Sequence, residues 1–162
     1  MIAVRLVRLI EAHSEKLTEG LMAKFLASPR TGDLRKVPAH ELRARSNEIL
    51  CNLSDWLLSK SDQDVERRYR EIGALRASQN VSLAHVCWGI VVTKEHIWDF
   101  LQREGFLRGP LEIYGEMELL RLLDQFFDRA ICYCAEGYTE AKLQAVSTAV
   151  AMGRGMPAAS TQ

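Results

Sequence analysis

Apolar side chains recur three and four residues apart along almost the whole chain, and the two-residue alternation of a strand is hard to find. The first stripe runs Leu6, Leu9, Ile10, His13, Leu17, Leu21 and Phe25 and predicts a helix from about Ile2 to Leu26. Pro29 and Gly32 stop it, and Ser28 to Val37 reads as a polar, basic loop. Pro38 suits a first helical turn, where its missing N–H loses no partner. From there Leu42, Ile49, Leu50, Leu53, Trp56, Leu57 and Leu58 carry a second helix to about Ser59. Ser61 or Asp62 caps a third helix over about 62 to 78, polar except for Val65, Tyr69, Ile72 and Leu75. A fourth follows the cap residue Ser82 and runs from about Leu83 to Glu104. Trp88, Val91, Val92 and Trp98 make it apolar around much of its circumference, which predicts a central position or a covering partner.

After the turn "GFLRGP", a final pattern runs from Pro110 to about Val150, longer than globular helices usually are without a partner. One stripe comprises Ile113, Met117, Leu120, Phe127, Ile131, Cys134 and Tyr138, with Asp124 at a place that calls for an apolar residue. A second comprises Leu119, Leu122, Phe126, Ala130 and Tyr133. One stripe serves the domain's own core and the other meets a second copy. Met117, Leu120, Phe127, Ile131 and Tyr138 are the candidate dimer contacts. Residues 1–150 therefore read as a single all-α domain of about five principal helices, and 151–162, rich in Gly, Pro and Ser, as a flexible tail.

Charge narrows the partners. Lys plus Arg and Asp plus Glu both total 21, so there is no global field to gather nucleic acid or acidic membrane. The basic run "RRYR" is flanked by Glu66 and Glu71 and reads as a solvated helix face. No apolar run reaches the roughly 18 residues of a membrane span, and Arg5, Arg8 and Glu11 interrupt the apolar N-terminus where a signal peptide would be continuous. The cysteines, Cys51, Cys87, Cys132 and Cys134, form no CxxC pair and read as buried reduced thiols of a cytoplasmic protein.

Candidate chemistry is thin. No nucleophile elbow, phosphate-binding loop or HExxH is present, so no catalytic residue and no metal are expected. His85 and Cys87 lie two apart on a helix and point in nearly opposite directions. His96 projects from roughly the same side as His85 but on the order of 16 Å along the axis, too far to share a metal. His85, near the start of a helix after a turn, is the one candidate haem ligand, and against it stands a purely structural role. Trp56, Tyr69 and Trp88 are candidates for lining an apolar ligand cavity between the second, third and fourth helices.

The stretch "REIGALRASQNVSLAHVCWGI", residues 70–90, pairs Ile-Gly with "RAS", a short polar turn, "VSL" and an apolar helix. It resembles the N-terminal domain of the RsbT co-antagonist family, the RsbR-type stressosome sensors, with related domains in front of bacterial sensor kinases. The resemblance covers most of the chain, from the first helix to about residue 140. It implies a globin-like helical fold without haem, pairing through the last helices, and a signal handed to an output domain or partner. It brings no catalytic residues. The family's turn often reads Gly-Ile-Pro-Leu where this chain has Asn80, Val81, Ser82 and Leu83; Asn80 is suited to the left-handed conformation and Ser82 to capping.

The reading that follows is a non-catalytic sensory or regulatory input domain, cytoplasmic and homodimeric, with a downstream signalling partner and an apolar small molecule as candidate ligand. No cofactor is expected. Two alternatives stand beside it: a haem-binding globin sensor with His85 as proximal ligand, and a ligand-free dimeric scaffold.

Overall fold

The computed structural model describes residues 2–104 and 110–153. The expected turn at 105–110 and the expected tail from 151 fall mostly outside the described residues, although 151–153 are helical. Every regular element described is helical, and the all-α fold accords with a globin-like bundle.

The predicted first helix is two, α1 (Ile2–Ala12) and α2 (Ser14–Ala27). His13 breaks the ladder at φ −108° and ψ 17°, and its Nδ1 bonds the Leu9 carbonyl at 2.9 Å. The break lets Val7 and Ile10 on one side, and Leu17 and Leu21 on the other, all reach the core. The predicted loop is a 3₁₀ helix, Pro29–Lys36, capped by Ser28. Thr31 and Leu34 are both buried, and three residues is the spacing that a 3₁₀ turn aligns. The Thr31 hydroxyl also donates to the Phe25 carbonyl at 2.8 Å.

The predicted second helix also divides, into α3 (Ala39–Cys51) and a π turn, Asp55–Ser59. The Glu11 carboxylate of α1 accepts from the Ser54 N–H at 2.7 Å and from its hydroxyl at 2.6 Å. With that N–H withdrawn, the ladder resumes one residue wider, Lys60 N–H reaching the Asp55 carbonyl at 2.8 Å.

The remaining helices follow the pattern more closely: α4 (Asp62–Ser78), α5 (Leu83–Arg103) and α6 (Pro110–Gly153). Ser61 and Asp64 form a reciprocal capping box on α4, and Ser82 caps α5 by accepting from the His85 N–H. Between them Asn80 takes φ 56°, the left-handed conformation expected of it.

The 44-residue α6 lies mainly along α4, with further packing on α1 and α5. Two glycines allow that approach. A Cβ on Gly73 would stand 2.0 Å from the Cys134 carbonyl oxygen, and one on Gly137 would stand 2.3 Å from the Arg70 carbonyl oxygen. The backbones of α4 and α6 therefore touch directly. Leu119, Leu123, Phe126, Phe127, Ala130 and Cys134 face the core, so the inward face runs between the two predicted stripes and takes members of both. Phe127 is only 1% exposed, which corrects its assignment as a dimer contact: its ring packs edge-on to Phe126, inside its own bundle.

Candidate functional site

α3, α4 and α5, with Phe25 and Leu34 beside them, line a small hollow of about 80 Å³ that opens to the surface, with Phe127 of α6 in its wall. Tyr69 lines it, and the buried Tyr69 hydroxyl has no hydrogen-bond partner among the described residues. Burial holds that phenol well above its ordinary pKa, so it stays a neutral donor. Ser46 and Thr93 also line the cavity. Their hydroxyls donate back to the carbonyls of Leu42 at 2.9 Å and Gly89 at 2.8 Å, which leaves their oxygens only as acceptors. A volume of 80 Å³ has room for a few waters or a very small apolar molecule, and is far below the several hundred Å³ of ordinary ligand pockets.

Arg76 adds the only charged group buried in that wall. It is 3% exposed, and its Nη1 donates to Glu41 at 2.5 Å and to Gln79 at 2.6 Å. The Arg76 hydrogen bond holds the Glu41 carboxyl below the usual carboxylate range, so the pair is ionic. The sequence carried a signal for this residue: Arg76 falls four residues after Ile72, on the same stripe as Val65 and Tyr69.

The three aromatic candidates do not share one site. Trp56, on the π turn, lies 6.4 Å from Tyr69 and 5.9 Å from Phe126 between ring centroids, but lines a different surface hollow. Trp88 sits elsewhere, with the Arg30 guanidinium 4.1 Å above its ring, and joins the 3₁₀ helix to α5. Tyr69 alone reaches the central cavity.

His85 also bridges the 3₁₀ helix and α5. Its Nδ1 accepts the Asp33 backbone N–H at 2.9 Å, while the Asp33 carboxylate accepts the Ser82 N–H at 2.9 Å. An Nδ1 that accepts must be unprotonated, which puts the proton of a neutral ring on Nε2. That is the wrong tautomer for axial ligation through Nε2. The two bonds instead lock the α4–α5 corner to the 3₁₀ helix. His96 is the more buried histidine: its Nε2 bonds the Leu17 carbonyl at 2.9 Å and its Nδ1 is buried without a partner among the described residues. Burial, aided by Lys24 and Arg103, lowers its pKa below the ordinary value.

The cysteines divide. Cys134 is buried and its thiol is pushed up to about 12 by desolvation, but Cys132 is exposed, against the expectation that all four are buried. Two residues apart on a helix, they necessarily face different sides.

On α6, Met117 is 61% exposed and Leu120, on the same stripe as the buried Phe127, 39%. Ile131 is half-buried, and so is Tyr138, whose hydroxyl donates to the Val81 carbonyl at 2.8 Å and pins α6 to the α4–α5 turn. Leu143, Val146 and Val150 continue the exposed apolar positions towards the end of the helix.

The arrangement defines a helical bundle built around a small cavity, with one long helix that is both core wall and exposed apolar face. The chain belongs to the family described as RsbT co-antagonist protein RsbRD N-terminal domain, whose model matches residues 15–151. That membership places it among the input domains of stressosome-type signalling. Neither a curated protein nor a solved structure matches the chain.

Proposed function

We propose that residues 1–150 form a single non-catalytic input domain of stressosome or sensor-kinase type, acting in the bacterial cytoplasm as a homodimer. It pairs through the exposed face of α6 and passes its state to an output partner or domain. The observation that supports this reading is the double use of α6. Phe127 forms part of the wall of the hollow, and Leu120, two turns earlier on the same helix, is 39% exposed. Filling the cavity presses on the helix that carries the interface. An apolar small molecule shifts the dimer only if it binds one arrangement of α6 better than the other.

Native mass spectrometry of the purified protein tests this. A dimer, bare or carrying a small retained mass, is the expected result. A monomer at micromolar concentration contradicts the reading, and a retained haem would replace it with the haem-sensor alternative.

A further inference from the structure

The outer side of α2, the 3₁₀ helix and α3 carries a groove of about 520 Å³. Its floor is apolar, formed by Met22, Phe25, Leu26, Leu34 and Leu42, and Leu26 stands 61% exposed there. Arg35, Lys36 and Arg43 also line it, and no carboxylate does. Two of these cations have acidic partners outside the groove, Lys36 with Asp33 at 3.2 Å and Arg43 with Glu19 at 3.5 Å. Arg35 makes no ion pair among the described residues and donates instead to the Leu26 carbonyl at 2.8 Å.

Pro38 and Ala39, where α3 begins, belong to the same lining. Pro38 gives that helix no side-chain cap, which leaves first-turn N–H groups for water or an anion. The first-turn carboxylate that would compete, Glu41, is held by the buried Arg76. An apolar floor beside three cations and an uncapped helix start is complementary to one chemical class. We propose that the groove binds an anionic amphiphile, a single-chain carboxylate whose head lies among Arg35, Lys36 and Arg43 and whose chain covers the floor.

A small molecule suits the groove better than a protein surface. Its volume lies within the roughly 300–1,000 Å³ of small-ligand pockets. Phe25, Leu34 and Leu42 line both the groove and the central cavity, so a chain on the floor rests against the partition between them. α6 packs on α4, α1 and α5, so dimerisation through α6 leaves the groove walls free. Binding stands apart from the input-domain reading; only its use as a signal rests on that reading.

Isothermal titration with sodium decanoate below its micelle concentration tests the site, with decanol and decyltrimethylammonium as chain-matched controls. Decanoate saturates at one per chain, and the cationic probe shows no binding. Octanoate binds more weakly, by about fourfold per methylene removed. Leu26→Glu and the double variant Arg35→Gln/Arg43→Gln alter only exposed side chains, so both keep the wild-type melting temperature in the absence of decanoate. Each loosens decanoate at least about tenfold, while Ala39→Trp, which fills the groove from an exposed position, abolishes binding.

Absence of saturable binding overturns the proposal, and so does equal binding of all three probes or indifference to these variants. Decanoate binding that appears only in a monomeric variant also overturns it, because the groove then belongs to a second copy. The first three outcomes leave the dimer reading untouched, and only the last also moves the interface from α6 to the groove, so the failure of one reading is distinguishable from the failure of the other.

Discussion

At the scale of single residues, the decisive positions are small or polar ones whose importance comes from what lies across from them. Replacing glycine by alanine inside a helix ordinarily gains about 1 kcal/mol. At Gly73 the added methyl meets the Cys134 carbonyl at 2.0 Å, and the obstacle is backbone that has no rotamer to change. Overpacking then outweighs propensity, and Gly73→Ala destabilises by at least about 2 kcal/mol. Urea unfolding of the two proteins checks this. Gly73 stands in the quoted motif, but nothing in a sequence says that another backbone crosses there.

His96 predicts a pH dependence. Its folded-state pKa is lowered, chiefly by burial, so below the ordinary value of 6.5 the unfolded chain takes a proton that the native imidazole refuses. Stability is therefore intact above pH 6.5 and falls as the pH drops below it, by up to about 1.4 kcal/mol per unit for one proton. Lys24 and Arg103 act in the same direction, while Asp99 and the Leu17 carbonyl oppose them. His96→Gln keeps an N–H for Leu17 and removes the titration. Thermal melts between pH 5 and 7.5 should show a flatter profile for the variant than for the wild type.

At the scale of elements, helix identity was legible wherever a stripe and a cap agreed. The limits of α4 and α5, the Ser82 cap and the conformation of Asn80 all follow from local chemistry. The misplaced features have long-range causes. The π turn depends on Glu11 reaching Ser54 across 43 residues, and the 3₁₀ helix depends on burial of Thr31 and Leu34 against the bundle. On α6 two adjacent apolar stripes left the inward face undecided, because helix periodicity alone does not rank them. Packing against α4 placed Phe127 inside. The candidate cavity residues fared similarly: Tyr69 lies on the stripe of α4 that faces the hollow, while Trp88 faces Arg30 on another side. Phe127→Asp buries an unpaired carboxylate, so it should unfold the domain, with loss of the cooperative melt in circular dichroism. A folded Phe127→Asp dimer would contradict the packing.

At the scale of the whole molecule, α6 joins two roles that other helices keep apart. Its inner face completes the core and lines the hollow through Phe127, while Leu120, seven residues earlier on the same stripe, and Met117 are exposed, with Leu143 and Val146 exposed further along. Tyr138, hydrogen-bonded to the Val81 carbonyl, ties the same helix to the α4–α5 corner that His85 and Asp33 hold from the other side. In the proposed function, a change in occupancy of the hollow would reach the surface of α6 within that one helix.

The most direct test of that account is sedimentation equilibrium of the wild type beside Leu120→Glu. The account predicts a wild-type dimer and, for Leu120→Glu, a dissociation constant weakened at least about a hundredfold, as expected when a charge is buried in an apolar interface. Helix content should be unchanged, because Leu120 is already exposed in the subunit, and the melting temperature should fall only by the stabilisation that dimerisation gave. A Leu120→Glu protein that dimerises as tightly as the wild type would contradict an interface on this face of α6.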